Sequence, residues 1–180
     1  MSKGRGALPA TVGLGRVSGA HGLRGAVKVR ADAHAATTDP QVFQALGEVE
    51  IGGRSYRILE ASRLKGQVLL YLEGVATRNQ AEALTGLELT GATGRFPRLP
   101  PGEFYWFQVL GLPVLHAGDG VLLGYLQEII PTPGHDVYAV RRDDRELLLP
   151  AVEEVITEIN LQEGWIKVNP PPGLLEAYAH

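Results

Sequence analysis

The chain is 180 residues long, enough for one large domain or two small ones, and it has no cysteine, which excludes disulfides, thiol catalysis and thiolate-bound metal. Its formal charge of -3 is uneven: residues 1–95 hold 12 Lys and Arg against 8 Asp and Glu, residues 96–180 hold 5 against 12, and the halves are therefore +4 and -7. A basic half suits polyanions and an acidic half suits basic partners, although surface charge that merely keeps both halves soluble accounts for the split as well.

Residues 1–10 are basic and contain glycine, lack an apolar core of signal-peptide length, and read as a flexible tail. No later run approaches a membrane span, so a soluble cytoplasmic protein with no membrane association is expected. Glycine and proline then punctuate short segments rich in Val, Ile, Leu and Tyr, a pattern that predicts an all-β architecture. Strands are expected over 11–17, 25–31, 48–51, 54–63, 67–72 and 87–90, with turns at Gly52-Gly53 and Lys65-Gly66. Such a set suits a small closed barrel over 11–92. Two short helices interrupt it. One starts after Asp39 with Pro40 at its first position; the other starts after Thr77, whose spacing to Gln80 fits a capping box, and Gly86 is expected to stop it.

Residues 91–102 crowd proline and glycine around a few basic residues without strand alternation, and a linker is placed over 93–102. Strands resume at 112–116, 121–130, 136–141, 145–149, 155–160 and 164–168, joined at Asp119-Gly120, Gly134-His135 and Asp143-Asp144, which predicts a second small barrel over 103–172. Val152, Val155, Ile156 and Ile159 also fit a helical stripe, and a single helical turn before the strand is the preferred reading. The tail 173–180 is either frayed or a short amphipathic helix docking Leu174, Leu175 and Tyr178.

No catalytic motif emerges. Gly13-Leu14-Gly15-Arg16-Val17-Ser18 puts serine where a dinucleotide fingerprint needs its third glycine, no P-loop lysine follows a glycine run, and no serine sits in a nucleophile elbow. His21, His34, His116, His135 and His180 show no metal-binding helical spacing, and the carboxylates are scattered, so neither a metal nor another cofactor is expected.

Binding features are stronger. In Gly19-Ala20-His21-Gly22-Leu23-Arg24-Gly25-Ala26-Val27-Lys28-Val29, a tight glycine loop feeds a strand with buried valines and a basic outer face. His21, Arg24 and Lys28, with Arg16 before the loop and Arg63 and Lys65 at a hairpin tip, are candidates for a phosphate-binding surface along one barrel rim. The same glycines equally well supply the backbone angles of a barrel corner, with the cations merely solvated. Further on, Phe104-Tyr105-Trp106-Phe107 would alternate between two faces of a strand, leaving one pair exposed as a protein anchor, or all four absorbed by core and interdomain packing.

These pieces together resemble the bacterial ribosome maturation factor RimM family. The matching residues are Gly15-Arg16-Val17 with the loop Ala20–Val29, Thr77–Glu82 with Leu84 and Gly86–Leu89, then Glu103–Trp106, Leu110–Val114, Leu148–Pro150 and Pro170–Leu175, in the expected order over nearly the whole chain. The resemblance implies a six-stranded N-terminal barrel and a C-terminal PRC-type barrel. It also implies a non-enzymatic factor that binds the immature 30S subunit and assists assembly of its head and 16S rRNA processing, in association with small-subunit protein 19. The family's paired tyrosines appear here as Phe104-Tyr105, and a usual acidic position is Gln108.

On this reading Arg16, His21, Arg24, Lys28, Arg63 and Lys65 contact rRNA, and Phe104, Tyr105 and Trp106 contact the ribosomal protein. A monomer is expected. The competing readings are an enzyme of rRNA or nucleotide processing, with a site drawn from His21, His135 and separated carboxylates, and a PRC-type interaction module unrelated to ribosomes.

Overall fold

The alternation of Val27 and Val29 with Lys28 and Arg30 becomes a strand with a fully buried valine face and a wetter cationic one. The computed structural model describes residues 7–32 and 35–177. The tail expected over 1–10 lies outside the described residues as far as Gly6, and so do His34, Tyr178 and His180. Two units are described, one spanning Leu8–Leu99 and the other the described chain from Pro100 onward.

The first unit contains β1 (Thr11–His21), β2 (Ala26–Ala31), α1 (Pro40–Leu46), β3 (Glu48–Ile51), β4 (Arg54–Leu64), β5 (Gln67–Leu72), α2 (Arg78–Glu82) and β6 (Glu88–Ala92). Hydrogen bonding runs β1-β2-β5-β4-β3-β6 and returns from β6 to β1, which closes a six-stranded barrel. β1 continues past the expected end at Val17. Irregular register between Gly13 and Gly15 against β6, and between Val17 and Gly19 against β2, breaks the two-residue period by which such a strand is recognised.

Both helices start where capping chemistry puts them. The Asp39 carboxylate accepts from the Gln41 amide at 2.9 Å, and Thr77 and Gln80 exchange reciprocal bonds of 3.2 and 3.1 Å. α1 buries Val42, Phe43 and Leu46, and Leu46 reaches the interior where Leu14 and Gly91 meet. Gly86 does not end α2. The helix stops at Glu82, and Gly86 lies in the following turn, where its amide donates to the Val17 carbonyl at 2.8 Å and docks the turn on β1.

The second unit holds α3 (Trp106–Val109), β7 (Pro113–His116), β8 (Leu122–Ile130), β9 (Val137–Arg142), β10 (Arg145–Pro150), β11 (Ile156–Asn160), β12 (Trp165–Val168) and α4 (Leu174–Ala177). Its strands form a six-stranded sheet in the order β10-β9-β8-β7-β12-β11, with one parallel pair, β12 with β7. Val114, Leu126, Val140, Leu147, Leu149, Ile166 and Val168 supply one core, against which Ile156 and Ile159 of β11 also pack. The all-β class with two six-stranded sheets is therefore the observed architecture. The preferred single turn before β11 is present, with the Val155 and Ile156 amides both donating to the Val152 carbonyl. In the tail, Leu174 packs on the core while Leu175 stays exposed.

A second expectation fails. Phe104–Phe107 is not a strand: Trp106 opens α3, and the Gln108 side chain caps it by accepting from the Tyr105 amide at 2.9 Å. Four aromatics are too few to distinguish alternation from the entry to a helical turn.

Candidate nucleic-acid interface

The glycine loop joins β1 to β2, and its shape is fixed by contact as well as by torsion. Gly25 has φ +70°, and a Cβ there would lie 2.3 Å from the Thr77 carbonyl oxygen. The loop thus sits directly on the capped start of α2. Gly22 has φ +68° with open space around it, so its requirement is torsional only. At Gly19 the Lys28 side chain passes where a Cβ would be, 3.3 Å from Cε. The glycines therefore build the corner, and they also clear a path for a cation.

Register identifies which cations share a surface. Lys28 and Arg30 are two residues apart on the outer face of β2, and Arg30 pairs across the ladder with Arg16. On its other side Arg16 has Glu88 of β6 as its register partner, and its guanidinium donates to the Gly86 carbonyl at 3.0 Å. Ser18, at the irregularity in β1, donates to the Lys28 carbonyl at 3.3 Å and receives Gln67 at 3.4 Å, which braces the lysine's backbone. Arg24 lies exposed at the loop end with its guanidinium carbon 4.6 Å from the centre of the Tyr71 ring on β5. His21 is exposed at the end of β1.

The hairpin tip is elsewhere. Val27 pairs with Leu70 and Val29 with Val68, so β5 begins beside the end of β2 that lies away from the glycine loop. The Lys65-Gly66 turn, with φ +48° and +79°, is therefore separated from the loop by the length of six-residue β2, about 20 Å at the usual rise per residue. Arg63 pairs with the interior residue Val68, and its Nη2 donates to the Thr38 carbonyl at 2.8 Å. A single rim carrying Arg63 and Lys65 with the loop cations is thus not what the register builds. Sequence reasoning leaves out Arg30 and Tyr71. Arg30 is legible from the alternation, whereas Tyr71 meets Arg24 only through strand pairing.

In the aromatic segment Tyr105 is only 6% exposed and stacks on Phe107 at 5.3 Å. Trp106 is half-buried and meets both rings edge-on, at 6.5 and 5.2 Å. Phe104 packs against the second unit's core. Of the three candidates, Tyr105 is deeply buried, Phe104 packs on that core and Trp106 is half-buried.

Among the described residues no three His, Asp or Glu side chains gather as metal ligands would, and no helix is long and apolar enough to cross a membrane. His116 and Asp119 lie 2.7 Å apart at the β7–β8 turn. The Val121 amide, and after it His116, hold the exposed Asp119 carboxyl below its usual range. That pair stabilises a turn.

The chain matches the family models for the RimM N-terminal domain over residues 12–92 and the RimM PRC barrel domain over 106–174. It is 35% identical to the ribosome maturation factor RimM of Dehalococcoides mccartyi, an alignment covering 91% of this chain and 95% of that protein. It is 37% identical to the ribosome maturation factor RimM of Symbiobacterium thermophilum, with 93% and 96% covered. Among solved structures it is similar to a RimM protein of Pseudomonas aeruginosa, at 27% identity and TM-score 0.40 over 89% of this chain and 98% of that one. It is also similar to the N-terminal domain of RimM from Thermus thermophilus, at 26% identity and TM-score 0.42 over 51% of this chain and 100% of that one. With both domain models matched in order and relatives above 30% identity along nearly the whole length, the chain belongs to the RimM family.

Proposed function

We propose that the protein is a ribosome maturation factor that binds the immature 30S subunit and assists assembly of its head and processing of 16S rRNA. It works as a cytoplasmic monomer and without a catalytic step. The observation that carries this reading is the cationic surface of the first barrel, where Lys28 and Arg30 line the outer face of β2 and Arg24 stands at its end. Arginine and lysine at that spacing suit a sugar-phosphate chain, and membership of the RimM family supports the ribosome as the source of the RNA. The acidic second unit is assigned to the basic small-subunit protein 19, with half-buried Trp106 as the anchor.

Such a factor acts by differential affinity. It lowers the free energy of a partly assembled head relative to misassembled alternatives and leaves when mature contacts replace it, since equal binding to all states shifts none. The test is co-sedimentation with immature and mature small subunits. Preference for the immature particle is expected, and equal recovery with both sinks the proposal. Trp106→Ala is expected to weaken binding to isolated protein 19 by at least about tenfold, the size of a modest anchor effect. Wild-type affinity in a folded Trp106→Ala variant would remove Trp106 from that role.

A further inference from the structure

Leu23 is 89% exposed, the highest value among the exposed large hydrophobics of the described residues. It stands at the tip of a loop whose flanking glycines are both left-handed and whose Gly25 backbone is seated on Thr77. Solvent exposure of an apolar tip on a fixed turn costs the free protein hydration free energy and gains it no packing. The next residue, Arg24, is exposed and holds its guanidinium carbon over the Tyr71 ring.

We infer that this tip, Leu23 with Arg24 backed by Tyr71, holds an unpaired RNA base. The base stacks on the open side of the Arg24 guanidinium and Leu23 wedges beside it, filling the gap left where the base leaves its own stack. Guanidinium planes and aromatic rings are the surfaces on which unstacked RNA bases settle, and aliphatic side chains serve as wedges between base steps. Two features favour RNA over a protein pocket. A dry protein pocket around Leu23 would desolvate the neighbouring Arg24, whereas RNA brings phosphates to it. Lys28 and Arg30 continue the cationic surface along β2, where the rest of a strand would run. The nearest cross-strand carboxylate, Glu60, pairs with Tyr71 on the side of β5 away from β2. Because the loop is already seated, little ordering cost is left to binding.

The inference rests on the rRNA reading, but it concerns base stacking rather than charge, and the two separate experimentally. The probes are a hairpin RNA with one bulged 2-aminopurine and the same hairpin fully paired, titrated with the full chain. Wild type is expected to bind the bulged hairpin about tenfold more tightly and to change its 2-aminopurine fluorescence. Arg24→Lys, which keeps the charge and loses the plane, should abolish most of that preference while leaving the salt dependence unchanged. Leu23→Ala, at a site too exposed to threaten folding, should do the same. Equal wild-type affinity for the two hairpins overturns the inference, as does a preference that survives both substitutions. Loss of protein 19 binding by Leu23→Ala with the RNA preference intact makes the tip a protein anchor and equally overturns it. A wild type that prefers the bulged hairpin but sediments equally with mature and immature subunits keeps this inference and defeats the maturation role.

Discussion

Gly22 and Gly25 bracket the same loop and have nearly the same torsion, yet they are not equivalent, because only Gly25 touches another element. Gly22→Ala is expected to cost about 1–2 kcal/mol, the penalty for an L-residue in the left-handed region. Gly25→Ala adds a backbone collision and should cost clearly more, read as a larger drop in the denaturation midpoint of the first unit. Equal losses would show that Thr77 yields. Tyr138 of β9 supplies a pH prediction, since burial, reinforced by the negative Asp136, pushes its phenol above the ordinary value. The folded state then holds the proton more tightly than the unfolded one. Stability from this group is full below about pH 10, the unfolded value, and falls as pH rises through the folded one. Tyr138→Phe, lacking the proton, should show a shallower alkaline loss of stability in urea melts taken between neutral and strongly alkaline pH.

At the scale of elements, the Thr77–Gln80 capping box ties a helix start to the binding loop, because the Thr77 backbone is also the seat of Gly25. Thr77→Ala should cost about 1 kcal/mol, the usual effect of removing an N-cap, and should also speed hydrogen exchange at the Gly22–Gly25 amides. A stability loss with unchanged loop exchange would mean that the seat survives without the cap. Caps, turns and strands are legible in the sequence because they depend on near neighbours: the Asp39-Pro40 start, the Lys65-Gly66 turn and most strand limits follow from short-range chemistry. Pairing order is not legible, since β5 lies between β2 and β4 for reasons of long-range burial that the local pattern does not encode. That gap is why the sequence alone groups Arg63 and Lys65 with the glycine loop, and why it shows Arg24 as a cation without its Tyr71 support. The aromatic run misleads for a related reason: what distinguishes a strand from a helix start there is the Gln108 cap, three residues beyond Tyr105.

For the whole molecule, register turns the charge split into a graded salt-dependence test. Removing one phosphate-binding cation should reduce the slope of log K against log salt by about 0.7–0.9, so Lys28→Gln and Arg30→Gln are each expected to flatten it by roughly that amount on binding to an rRNA fragment. Arg16→Gln should do less, because its guanidinium already donates to the Gly86 carbonyl. Arg63→Gln should leave the slope where it was. Its guanidinium already donates to the Thr38 carbonyl, and β5 lies between its strand and β2. The ordering matters more than any single value, because a diffuse attraction between a +4 half-chain and RNA would make all four substitutions equivalent. If Arg63→Gln flattens the slope as much as Lys28→Gln does, the attraction is diffuse and the β2 face is not a discrete site.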